Sequence, residues 1–510
     1  MMAMLADLRL LLAAPLLGAL LVAVAPARWS RVLGAMVAGL ALAVAVALVL
    51  ATAETLAIHG GWIPGLGLEF ALELGGLGLP GVLITCLIGQ VATLARDGSR
   101  GTIAAGLGLQ GVVLAALLAT NLGLMVACHG LLAPLVVGML ATGPRPDRLR
   151  AALAAGFYLA LAAVVMALAA GLLAVAHHDA SGGQWNLEIG ALVGVLLPAG
   201  VEAVVGGLLA LAGGLLLGLW PLHGWSLAGA AAGRSGTALL LFGPLRLLGL
   251  DLLLRLWLPL TPSAAAAQGP WLAGLALVGA IYGALVARVE PDPRRAIGLA
   301  ALAPAGLLVL GVAGQHHEGL LGALALGSTL TLGATADLLA VAETQACRGP
   351  RANLARRLGP LGLLAAPGLI GFVGAALVLL GTARFAGLSL GASAPWLTLA
   401  AGIGLLLSLR VLTFRAGPSG HEPEDMSDLP TVDLARVLIL LAPLVVLGAW
   451  PGPWLARVDP AASAVLEAAA LRRCLGQTLE IAAPQRVPGT VPEACAQPLR
   501  ALERLQEEQR

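Results

Sequence analysis

The chain contains no lysine: all 29 of its Lys+Arg residues are arginine. That excludes any site or relay built on a titrating lysine, and arginine cannot take over the role because its pKa stays above about 12. Charge of either sign is scarce, at 11% of 510 residues, where a soluble domain carries about 25%. The net charge of +2 gives no basis for nucleic-acid binding. Cysteine is rare too. The five cysteines fit no metal spacing such as C-x-x-C. Also missing are a Gly-rich phosphate loop, a nucleophile elbow, an H-E-x-x-H pair and any redox-cofactor signature, so an active site or a cofactor in this chain is not expected.

What the chain has instead is apolar length. Hydrophobic residues make up 59% and the mean hydropathy is +0.94. Runs of roughly 20 apolar residues, long enough to cross a hydrocarbon core of about 30 Å, lie near 8–26, 32–53, 79–95, 102–120, 122–142, 151–176, 196–220, 236–258, 271–287, 296–314, 319–342, 360–381, 394–414 and 434–450. The sequence therefore predicts an all-α polytopic membrane protein of about fourteen spans. The first run carries Arg9 and no small-residue cleavage site, so it is read as a span rather than a removed leader.

The arginines alternate. Odd-numbered connections hold Arg28 and Arg31, Arg96 and Arg100, Arg145, Arg148 and Arg150, Arg234, Arg288 with Arg294 and Arg295, and Arg348 with Arg351, Arg356 and Arg357. Even-numbered ones are nearly bare: 54–78 carries glutamates only, 177–188 is HHDASGGQWNLE and 315–318 is QHHE. Cytoplasmic loops collect basic residues, so both termini are expected on the non-cytoplasmic side of a bacterial-type inner (cell) membrane. Residues 1–454 then form the membrane domain and 455–510 a polar, non-cytoplasmic tail, where Cys474 and Cys495 are placed to form a disulfide. Cys86 and Cys128 are expected to be inert packing residues and Cys347 a free thiol.

Inside the spans, ionisable residues and helix breakers mark a transport-like interior. The segment LWPLHGW at 219–225, followed by a Leu-Arg-Leu-Leu-Gly run through Arg246, resembles helices seven and eight of the antiporter-like subunits of respiratory complex I and of the Mrp cation/proton antiporters. "HGGWIPGLG" at 59–67 is similar to the family's loop before helix three, and Asp292, Arg294 and Arg295 to its connection between helices nine and ten. "APGLIGFVGAALVLLG" at 366–381 resembles the family's broken helix twelve. The end of the chain, 433–466, is most similar to chain M of bacterial NADH:quinone oxidoreductase, without the long lateral helix of chain L.

The resemblance implies two inverted five-helix repeats, helices four to eight and nine to thirteen, with helices seven and twelve broken near Pro221 and Pro367. It also implies a proton relay of buried ionisable residues. Carried over position by position, the helix-five glutamate falls on His129 or its neighbour Gly130, the helix-seven lysine on Leu216 and the helix-eight lysine on Arg246. The helix-ten histidine falls on Pro304, the helix-eleven histidine on Ser328 and the helix-twelve glutamate on Ala375. Most of the relay is thus replaced. The remaining proton-path candidates are His129, His223, Arg246, Asp337 and Glu202. His129 alone on an apolar span reads first as a neutral bonded residue, His223 as the cap of the break, and Arg246 as a fixed charge. Asp251 and Arg255, four apart, are expected to neutralise each other. His177–His178 and His316–His317 are expected to be solvated pairs.

The expected function is that of a membrane-arm subunit of a complex I-like proton-translocating assembly, in contact with lipid and with other antiporter-like and membrane-arm subunits. Its own conduction would be lost or attenuated, and it would have no active site of its own. Two alternatives stay open. One is a transporter of another ion or solute using Ser328, Asp337 and Glu202; the other is a membrane partner of a hydrogenase-like or inorganic-carbon uptake complex.

Overall fold

A computed structural model describes residues 7–51, 56–143, 146–345, 347–363, 365–384 and 427–481, with side chains as far as Cys474. Ten helices among them are long and apolar enough to span a membrane, and three shorter apolar helices accompany them. The protein is a polytopic helical membrane protein. In chain order the helices are α1 (Leu8–Val24), α2 (Ala27–Ala51), α3 (Gly78–Thr93), α4 (Arg100–Leu118), α5 (Leu122–Ala141) and α6 (Arg148–Ala180). Then come α7 in two pieces (Ala199–Leu217 and Gly224–Ala232), α8 (Ser235–Leu260), α9 (Pro262–Ala287), α10 (Pro293–Ala313) and α11 (His317–Thr344). The last are a short helix in the connection (Pro350–Leu358), α12, whose break is flanked by a 3-10 turn at Gly359–Leu363 and the helix Ile370–Arg384, then α13 (Thr431–Ala449) and α14 (Gly452–Ile481). The expected span at 394–414 lies outside the described residues, so α13 corresponds to the fourteenth expected span.

Local chemistry starts these helices where the sequence allows it. Ser99 and Thr102 form a reciprocal cap on α4, and Asn121 Oδ1 accepts from Gly123 N (3.0 Å) and Leu124 N (3.3 Å) at the head of α5. Helices α8, α10 and α11 are almost wholly buried and form the centre, whereas α2, α6 and α9 turn Met36, Phe157 and Trp271 outward. Such an apolar outside suits lipid or neighbouring subunits.

The two ends of the bundle separate the connections as the arginine pattern requires. At one end, Arg31 donates to Arg96 O (2.8 Å), Arg100 to Ala25 O (3.2 Å), Arg234 to Thr142 O (3.3 Å) and Asp97 O, and Arg294 to Gly233 O (3.0 Å). Arg356 donates there to Thr344 O (2.7 Å) and Cys347 O (2.8 Å). These acceptors sit just past the C-terminal ends of helices, where carbonyls lack intrahelical partners and the helix dipole is negative. A guanidinium, with five donors in a fork, reaches two of them at once. At the opposite end, backbone bridges join Leu72 to Ala119 and Asn121 to Glu188, and His317 Nε2 lies 2.7 Å from Asp459 Oδ1.

That opposite end also carries a β-hairpin, 56–74. Its outer strands β1 (Leu56–Ile58) and β4 (Leu72–Leu74) pair antiparallel, Leu56 with Leu74, and its inner strands β2 (Gly61–Ile63) and β3 (Leu68–Glu69) pair Gly61 with Glu69. Gly67 at the tip has φ +66°, and a Cβ there would stand 2.5 Å from Trp185 O, so only glycine allows this approach. The start of the expected tail is helical: the 30-residue α14 begins at Gly452 and lies across this end of the bundle. Its Val458, Ala462, Val465 and Ala469, spaced three and four apart, are buried along one face. Arg472, drawn down to about 10 by burial against the opposing pull of Glu202, donates to Leu192 O (3.4 Å) and Val195 O.

Candidate functional site

The break in α7 is built as the sequence suggests. Its first piece ends on Gly218 in the left-handed conformation (φ 65°, ψ 45°), and the chain turns through a cis Trp220–Pro221 bond before restarting at Gly224. A break frees carbonyls that lipid cannot satisfy. Two side chains of the second piece supply donors: buried Trp225 Nε1 to Leu215 O (3.0 Å) and Ser226 Oγ to His223 O (2.9 Å). Ser226 Oγ in turn accepts from Arg246 Nη2 at 3.3 Å, and the guanidinium lies 4.3 Å from the centroid of Phe242. Ser226 therefore joins the Arg246 guanidinium to the backbone carbonyl of His223 at the break, and the His223 imidazole takes no part in that link. The His223 ring stands edge-on to Tyr282 at 5.7 Å. Nδ1 of His223 and Nε and Nη1 of Arg246 find no hydrogen-bond partner among the described residues, and no carboxylate there pairs with Arg246.

The other candidates stay apart from this pair. His129, 1% exposed on α5, bonds through Nδ1 to Met125 O of its own helix (2.7 Å). Glu202 Oε1 accepts from Ser263 N (2.7 Å) and Ala264 N (3.2 Å), so it caps the start of α9. Ser328 Oγ turns back to Leu324 O (3.3 Å), beside a π-helical turn at Thr329–Gly333. Asp337 is buried near the other end of α11, against Gly359. Asp251 and Arg255 pair at 3.2 Å as expected, and Arg255 also reaches Leu117 O and Ala119 O. The break in α12 holds Pro367 and Gly368, the latter at φ +91°. Leu216, Pro304 and Ala375 are buried and apolar. Cys86, Cys128 and Cys347 are free and buried; Cys474 is buried on α14, and Cys495 lies outside the described residues.

Sequence reasoning missed a second polar cluster, at the arginine-rich end. Arg96 and Arg436 both ion-pair with Asp433, and each stands 3.5 Å from Glu343. Arg436 also donates to Leu94 O (2.6 Å). The cluster thereby joins the ends of α3, α11 and α13. Its only signal in the sequence is that acidic residues sit at span ends, and nothing there pairs α3 with α13.

The comparisons agree with this architecture. The family described as "NADH:quinone oxidoreductase/Mrp antiporter, TM" matches residues 119–394. NADH-quinone oxidoreductase subunit M of Mycobacterium tuberculosis is 30% identical over 257 residues, and that match spans about half of either chain, 48% of this one and 46% of the relative. NAD(P)H-quinone oxidoreductase chain 4 1 of Synechococcus sp. (strain JA-3-3Ab) is 28% identical over 76% of this chain and 78% of its own. A chain of the respiratory complex I of Thermus thermophilus superposes with a TM-score of 0.79 over 90% of this chain and 99% of its own, at 23% identity, which is a likeness of fold. With just over half of its length matched and the broken-helix fold in place, the chain belongs to the NADH:quinone oxidoreductase/Mrp antiporter transmembrane family.

Proposed function

We propose that the chain is a membrane-arm subunit of a complex I-like assembly whose own proton conduction is lost or attenuated. The observation that carries this reading is the interior itself. Leu216 and Ala375, 1% and 2% exposed, stand where the resemblance expects a lysine and a glutamate. Among the described residues the one charge at the α7 break is Arg246, a guanidinium that holds its proton at neutral pH. His129 is bonded to its own helix and linked to neither His223 nor Arg246. A proton path needs titratable groups or water at hydrogen-bond spacing, and no side-chain hydrogen bond joins His129 to His223 or Arg246 among the described residues. The reading of the chain as a transporter through Ser328, Asp337 and Glu202 loses support, since Glu202 is engaged as a cap and Ser328 with its own helix.

In this reading the arginine-rich end faces the cytoplasm of a bacterial-type cell membrane, and the hairpin and α14 face outward. The partners are other antiporter-like and membrane-arm subunits. Purified protein in liposomes is expected to dissipate an imposed pH gradient little faster than protein-free vesicles. Decay as fast as that of a family member with an intact relay sinks the attenuated-conduction reading. Co-purification of flavin and Fe–S subunits from native membranes supports the complex I-like assembly, whereas a soluble hydrogenase-like or zinc partner replaces it.

A further inference from the structure

On the hairpin end, away from the α7 break, three side chains from three stretches of chain converge. His59 precedes β2, Glu69 ends β3, and Glu188 lies in the connection between α6 and α7. One ligand atom from each lies within 4.8 Å of the other two. Neither glutamate forms an ion pair among the described residues, and no side-chain hydrogen bond engages His59, Glu69 or Glu188 there.

Two carboxylates beside an imidazole repel each other unless a cation sits among them. The chain has no lysine to offer, and residues 52–78 and 177–198 contain no arginine. Two arginines that α14 brings to this end are committed to carbonyls, Arg457 to Val49 O (2.5 Å) and Arg472 to Leu192 O and Val195 O. Among the described residues no arginine pairs with Glu69 or Glu188, which leaves the site open to a cation from solution.

The scaffold holds the three donors in place without it. Gly60 and Phe70 exchange both backbone hydrogen bonds (3.0 and 2.7 Å), fixing His59 beside the strand that ends in Glu69. Asn121 Nδ2 donates to Gly67 O (2.9 Å), Leu122 N to Leu187 O (2.7 Å) and Ile189 N to Thr120 O (2.9 Å), which ties the hairpin tip and Glu188 to the head of α5. One imidazole nitrogen with two carboxylate oxygens, exposed enough for water to complete the shell, suits a borderline divalent ion such as Zn²⁺; Ca²⁺ and Mg²⁺ prefer all-oxygen shells.

We propose that His59, Glu69 and Glu188 form a divalent transition-metal site, filled by Zn²⁺ or an ion of similar preference, that clips the hairpin to the α6–α7 connection. The full-length protein, purified in detergent and stripped with chelator, is titrated with Zn²⁺ by calorimetry, with X-ray absorption on the loaded sample. One equivalent is expected at micromolar or tighter affinity, with N/O scatterers at about 2.0–2.2 Å including one imidazole. His59→Ala and Glu188→Gln should each weaken binding at least tenfold, while H177A/H178A leaves it unchanged. His59 is exposed and Glu188 half-buried, and neither side chain is hydrogen-bonded among the described residues, so these variants are expected to elute as wild type does in size exclusion, which checks that they fold. Three outcomes overturn the proposal: no binding below millimolar, binding undiminished in the His59 variant, or loss only in H177A/H178A, which marks an adventitious surface site.

Discussion

At the residue scale the central fact is a buried guanidinium with no counter-charge among the described residues. Arg246 is 1% exposed, stacked on Phe242 and bonded to Ser226. Burying a charge costs several kcal/mol unless pairing repays it, and replacing buried ions by apolar groups of like volume is often neutral or stabilising. Ser226 would not be orphaned by such a change, because its hydroxyl already donates to His223 O. The Arg246→Met variant is therefore expected to match the wild type within about 1 kcal/mol or to exceed it by about 1–4 kcal/mol, read as the unfolding midpoint in an SDS titration. A clear loss of stability would show that the charge is compensated after all. The same residue also explains part of the composition. Arginine reaches two carbonyls from one fork, as Arg356 and Arg255 do, which the point charge of a lysine does less well.

Among elements, the ion cluster of Arg96, Glu343, Asp433 and Arg436 fastens α3, α11 and α13 together. Its two arginines differ in setting: the Arg436 side chain is 6% exposed and that of Arg96 is 51% exposed. Removing a buried partner strands the opposite charges, at about 3–5 kcal/mol, whereas exposed pairs contribute about 0–1 kcal/mol. Arg436→Ala is thus expected to destabilise much more than Arg96→Ala in the same SDS titration. Equal losses would mean that water reaches Asp433 and screens the whole cluster. Gly67 makes a comparable point for the hairpin. Its positive φ and the nearby Trp185 carbonyl make the tip contact depend on one missing side chain, which no hydropathy pattern reports.

For the whole molecule the testable property is sidedness. Single cysteines placed in 177–188 and in 350–358 of a Cys-free chain are expected to react with impermeant reagents from opposite sides of the membrane, since the structure puts these stretches at opposite ends of the bundle. Labelling of both from one side would break the assigned parity. The tail supplies a second check. If residues after α13 face an oxidising compartment, the proposed Cys474–Cys495 bridge closes a loop of roughly 20 residues and stabilises it by about 3 kcal/mol. Non-reducing mass spectrometry of native membranes should then find the linked peptides; free thiols at both positions would remove the bridge and count against an outward tail.

Class and approximate spans were legible in the sequence, because membrane solvation acts on each segment by itself and roughly twenty apolar residues must cross; the sidedness expected from the arginines is left to the labelling experiment. The two helix breaks were legible for the same reason, since proline and glycine act locally at Pro221, Gly218 and Pro367. The amphipathic face of α14 was there to be read at Val458, Ala462, Val465 and Ala469, but a polar average over the segment hid it. Tertiary structure alone decided which polar groups meet. That Glu202 caps α9 from 61 positions away, that Asp433 pairs across to Arg96, and that His59 and Glu188 share one corner depend on how helices pack, and packing distances are set by side-chain shape along whole interfaces rather than by any one segment's composition.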